Sequence, residues 1–86
     1  NRDSEDAQQV SRLNVTITNE TGSMATLCSV LGNNNANIMN LKITKRTADF
    51  FDLNLDVEVV DVRHLSHIMA ALRAMPVITS IDRARS

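Results

Sequence analysis

Phe51, Leu53, Leu55, Val57 and Val59 alternate with Asp52, Asn54, Asp56 and Glu58 in one unbroken stretch. A period of two is that of an extended strand, whose successive side chains point to opposite faces. One face here is wholly apolar and the other wholly polar. Such a strand belongs in a sheet that is covered on one side and wet on the other. The pattern recurs twice more: Leu13, Val15 and Ile17 alternate with Asn14, Thr16 and Thr18, and Met39, Leu41 and Ile43 with Asn40, Lys42 and Thr44. Val77 to Ile81 reads as a short last strand. The brief polar link Lys45 to Asp49 makes the second and third strands a hairpin.

Between these strands the period changes to that of a helix. Met24, Leu27, Cys28 and Leu31 recur at helical spacing, with Thr21 expected as N-cap and Gly22 and Ser23 opening the first turn. The helix is expected to fray near Gly32 and to end in Asn33-Asn34-Asn35, since Asn tolerates a left-handed exit. Asp61 caps a second helix, Leu65, Ile68, Met69 and Leu72 form its buried stripe, and Met75-Pro76 ends it. The order is β-α-β-β-α-β. With every strand one-faced, both helices must lie on the same side. Right-handed crossovers then predict an α+β, ferredoxin-like fold: a four-stranded antiparallel sheet in the order 4-1-3-2, with strands two and four at the edges.

At 86 residues the chain is one small domain with no cleft between lobes. Its net charge of −1, from nine basic and ten acidic residues, argues against a basic nucleic-acid-binding surface. Phe50 and Phe51 are the only aromatics, too few for a base-stacking platform. A single cysteine, Cys28, is read as a core residue and makes cytosol the simplest compartment. No apolar run reaches the ~20 residues of a membrane span. Residues 1–11 are almost devoid of apolar side chains and read as the end of a linker, with the domain at 12–86 and the whole as a piece of a longer protein.

No residues suggest catalysis. Asp52, Asp56 and Glu58 share the polar, solvated face of their strand, and the Asn-Glu-Thr-Gly turn lacks the Arg of an acylphosphatase-type phosphate loop. His64 and His67 are spaced to share a metal, yet no third ligand stands near them, so neither metal nor cofactor is expected. The stretch Asn19 to Ala25 is of more interest. A helix start offers unpaired N–H groups and a partial positive charge, and Gly22 lets a ligand reach the backbone. An ordinary capped turn has the same spacing.

With Asn19-Glu20-Thr21-Gly22 and Asn35-Ala36-Asn37-Ile38 in place, residues 12 to 85 resemble an ACT domain. More narrowly, they resemble the C-terminal ACT domain of RelA/SpoT-type alarmone synthetase–hydrolases, the GTP pyrophosphokinases. Asp61 with His64-Leu65, Leu72 through Pro76, and Arg83 continue the pattern in order. Asn19 stands where the family has Asp, Asn35 where it has Gly, Ser23-Met24 where Leu-Leu is common, and Val77 where a Gly follows the ending Pro.

The resemblance implies a regulatory module, following upstream catalytic domains that transfer pyrophosphate from ATP to GTP or GDP and hydrolyse the product. It implies a homodimer through strand two, an amino acid held where the first turn of one copy meets strand two of another, and a role in ribosome-linked control. The expected site residues are Asn19, Gly22, Ser23, Met24, Asn37 and Ile38. The N–H groups of Gly22, Ser23 and Met24 would receive the carboxylate, and Asn19 and Asn37 the ammonium. Met24 and Ile38 would form an uncharged pocket suited to valine, isoleucine or leucine. An ACT domain of another metabolic enzyme, and a ribosome- or RNA-contacting module without a small ligand, are the competing readings.

Overall fold

The computed structural model describes residues 9–84. Six elements follow one another: β1 (Gln9–Thr18), α1 (Ser23–Asn33), β2 (Asn37–Arg46), β3 (Phe50–Val59), α2 (Val62–Arg73) and β4 (Ile78–Arg83). The sheet order is β2-β3-β1-β4, as expected from right-handed crossovers, and every pairing is antiparallel. β1 begins at Gln9, so Gln9, Val10 and Ser11, expected in the linker, pair with Val59, Glu58 and Val57. The rest of that linker, residues 1–8, lies outside the described residues. β4 runs two residues past the expected Ile81, and the Ala84 N–H donates to the Arg12 carbonyl beyond it.

Alternation decides the core. Leu13, Val15 and Ile17 of β1 and Leu53, Leu55, Val57 and Val59 of β3 are buried. Leu27 and Leu31 of α1 and Leu65, Ile68 and Leu72 of α2 cover them from one side. Met69 and Met24 pack half-buried against this cluster. Cys28, expected in the buried stripe, is only partly covered. The opposite face is polar. There Arg12 donates to both carboxylate oxygens of Asp56, at 2.8 and 3.1 Å, and Thr16 to Asp52 at 2.9 Å. The Arg12 hydrogen bonds hold Asp56 below the usual carboxylate range.

Two departures have local causes. Thr21 does not cap α1. Gly22 is the N-cap, in the left-handed region at φ 89°, and no side chain caps the helix. Asp61 behaves as expected and accepts from the His64 N–H at 2.8 Å. The second departure is in β2, whose register against β3 shifts between Ile38 and Asn40 and again between Ile43 and Lys45. Each shift is a bulge that leaves one extra residue, first Met39 and then Thr44. The first bulge exchanges sides: Ile38 faces the core opposite Val57, and Met39, expected there, is 52% exposed.

Candidate functional site

The turn between β1 and α1 is tied down from several directions. The Asn19 N–H donates to the Asp49 carbonyl at 2.8 Å, and its side-chain Nδ2 to the Thr47 carbonyl at 2.7 Å. Both bonds reach the β2–β3 hairpin. With Nδ2 engaged, the Asn19 side-chain oxygen is left as the acceptor of the pair. Ser23 is buried at 2% exposure, and its hydroxyl meets that of Thr18 at 2.9 Å. Thr26 closes the first turn by donating from backbone and side chain to the Gly22 carbonyl.

This anchoring changes what the turn offers. The Ser23 N–H already donates to the Glu20 carbonyl at 3.1 Å, so it is not an available donor for a carboxylate. Among the described residues no backbone carbonyl accepts from the Gly22 or Met24 N–H. Those two remain, at a helix start whose field favours an anion. A Cβ built on Gly22 would meet nothing within 4 Å. The glycine is therefore required by its left-handed backbone, and the space beside it is open.

Asn37 and Ile38 lie elsewhere. Asn37 pairs with Glu58, whereas Thr18, beside Asn19, pairs with Phe50. Glu58 and Phe50 are eight residues apart on β3, which is about 26 Å of strand. Within one chain, Asn19, Gly22, Ser23 and Met24 sit together at one end of the sheet, and Asn37 and Ile38 at the other. Their side chains also point to opposite sides. Asn37 donates to Glu58 Oε1 at 3.3 Å on the open face, and Ile38 packs toward the core. Sequence spacing did not single out Thr18 or Thr47, the two partners that hold the turn in place.

His64 is not poised for a metal. The Val60 N–H donates to its Nδ1 at 2.9 Å, so Nε2 carries the proton and donates to the Asn34 carbonyl at 2.7 Å. Both ring nitrogens are spent clipping the β3–α2 turn to the end of α1. Among the described residues no group of three metal-ligating side chains converges, and no helix is long and apolar enough to cross a membrane.

The family model of the ACT domain matches residues 5–83. The chain belongs to the ACT domain family. Relatives of this ACT domain include the GTP pyrophosphokinase rsh of Brucella ovis, 35% identical over 72 residues. That match covers 84% of the chain and 10% of the relative, and the Brucella abortus protein of the same name matches equally. The chain thus spans about a tenth of the length of the curated relatives it matches. Among solved structures, the ACT domain from GTP pyrophosphokinase of Chlorobium tepidum superposes with a TM-score of 0.77 at 17% identity, over 90% of this chain and 99% of that one. The acetolactate synthase small subunit from Thermotoga maritima gives a TM-score of 0.77 at 13% identity, over 87% and 47%. These two likenesses concern the ferredoxin-like ACT fold. An ACT domain is a regulatory module, and this chain resembles the one carried by the Brucella GTP pyrophosphokinases.

Proposed function

We propose that this ACT domain is the amino-acid-responsive regulatory module of a cytoplasmic enzyme that transfers pyrophosphate from ATP to GTP or GDP and hydrolyses the product, and that it works as a homodimer. The observation that carries the parentage is the 35% identity to a named GTP pyrophosphokinase across most of the chain. The observation that supports ligand binding is the turn at Gly22. It has a left-handed backbone, open space beside the glycine, two N–H groups with no backbone acceptor among the described residues, and a side-chain oxygen at Asn19. A free amino acid presents a carboxylate to such donors and an ammonium to such an acceptor.

The pocket is shared between copies. Gly22, Met24 and Asn19 come from one, and Asn37 and Ile38 from its partner, because no single chain brings them together. Ser23 serves as a buried anchor through Thr18 and not as a donor. No ionisable group among these residues would recognise a charged ligand side chain, so valine, isoleucine or leucine is preferred, with modest discrimination among them. Calorimetry on the chain with these three, and with aspartate and lysine as controls, tests the proposal. Tighter binding of a charged amino acid overturns the pocket. No binding by any of them favours a contact module, for example against the ribosome.

A further inference from the structure

His64 joins two elements through a ring that can gain a proton. Its Nδ1 accepts from the Val60 N–H at 2.9 Å, in the turn between β3 and α2. Its Nε2 donates to the carbonyl of Asn34, the C-cap of α1, at 2.7 Å. Only the neutral ring makes both bonds, because one nitrogen must accept while the other donates. A second proton has one place to go, Nδ1, and there it points at another donor. Two N–H groups cannot face each other across 2.9 Å. A charged ring keeps the Asn34 carbonyl at most and gives up Val60, whose N–H donates to no backbone carbonyl among the described residues.

The surroundings let a proton in and do not compensate it. His64 lines an open cavity of about 520 Å³ together with Arg63 and His67, so water reaches the ring. The Asp61 carboxylate, which accepts from the His64 backbone N–H at 2.8 Å, favours positive charge beside it. Arg63 and His67 oppose it. From α1 no charged side chain faces the ring, and Asn33, Asn34 and Asn35 at the end of that helix are neutral. From β3, Glu58 lies on the other face of the sheet, bonded to Asn37. The charges therefore pull both ways, and the donor–acceptor pattern pulls only one way.

We propose that His64 is a proton-operated latch. Neutral, it ties the β3–α2 turn to the end of α1; protonated, it releases that turn. The release is local, because Leu65 and Ile68 keep α2 in the core. It loosens the place where α1 passes through Asn35, at φ 60°, and Ala36 into β2. Histidine in an unfolded chain takes up its proton near pH ~6.5, whereas the closed latch excludes it. The unfolded chain then binds more protons in mild acid, so stability falls as pH falls through that range. The latch needs neither ligand nor partner copy, so its failure leaves the proposed function untouched.

Nuclear magnetic resonance of the 86-residue chain between about pH 7.5 and about pH 5.5 tests it. At the upper end the ring nitrogen shifts are expected to report the neutral form with the proton on Nε2. As the ring gains its second proton, hydrogen-exchange protection of the Val60 amide, corrected for the intrinsic rate, is expected to fall at least about tenfold. The melting temperature is expected to fall by about 4–8 °C over the same range. His64→Asn supplies an acceptor that does not titrate. It is expected to melt lower at the upper end, having lost Asn34, and to show no further drop in acid. His67→Gln is expected to keep the drop. A ring that stays neutral throughout, or one that titrates while Val60 stays protected, overturns the latch, and both are read on the unaltered chain. So does an acid drop retained by His64→Asn or abolished by His67→Gln.

Discussion

Gly22 holds the turn by conformation, not by lack of room. Its φ of 89° is one that L side chains adopt only under strain, and the space around an added Cβ is open. Gly22→Ala is expected to lower stability by about 1–2 kcal/mol, and Gly22→Val by more, since a branched side chain is stiffer still. Urea denaturation checks the order. Both variants should lose amino-acid binding, because the new side chain would occupy the space over the Gly22 and Met24 N–H groups. A Gly22→Val chain that folds and still binds removes the turn from the site. His64 makes a different prediction. It satisfies the Val60 N–H and the Asn34 carbonyl at once, so His64→Ala is expected to cost about 1–2 kcal/mol without affecting ligand affinity. A metal role would reverse that pattern, leaving stability unchanged and abolishing a metal response.

At the scale of elements, regular strands were legible and irregular ones were not. β3 alternates without a fault, and its pairing followed directly. β2 looked just as regular, yet a bulge at Met39 exchanges its sides, because period-two reading has no signal for an extra residue. The consequence is testable. Met39→Lys should change stability by less than about 0.5 kcal/mol, and Ile38→Lys should destabilise clearly, since it forces a charge toward the core. The reverse order in thermal melts would mean that the bulge is absent. The Thr21 cap failed for a related reason: Thr and Gly adjoin, and only backbone geometry distinguishes which of them precedes the first helical residue. Between β1 and β3, the Arg12–Asp56 pair gives the sheet a pH dependence. Asp56 titrates below its ordinary value when folded, so its contribution is present above the unfolded value near ~4 and is lost as pH falls through the folded one. Asp56→Asn should flatten the acid limb of the stability curve. A variant with an unchanged acid limb would show that the pair is not coupled to folding.

For the whole molecule, the residue types of the proposed site come from sequence motifs, but the distance between its proposed halves does not. Asn19 and Asn37 sit in motifs that sequence spacing finds, yet only the strand pairings reveal that about 26 Å of β3 lies between their levels in the sheet. Under the proposed two-copy pocket, that separation makes ligand binding and self-association one equilibrium. If the amino acid touches Asn19 and Gly22 of one copy and Asn37 of its partner, it binds the dimer and not the monomer. Linkage then requires each to promote the other by the same factor. At a ligand concentration a hundredfold above the dissociation constant, each occupied site contributes about 2.7 kcal/mol, or roughly a hundredfold in the dimerisation constant. Two equivalent sites would raise it by about ten-thousandfold. Sedimentation of the dilute chain, with and without saturating valine, is therefore expected to show monomer converting to dimer. Asn37→Ala should abolish the conversion and leave ligand-free dimerisation nearly unchanged, because Asn37 lies at the end of β2 and not at its centre. Valine that binds with no effect on association would place the whole site within a single copy, and the two-copy pocket would be wrong.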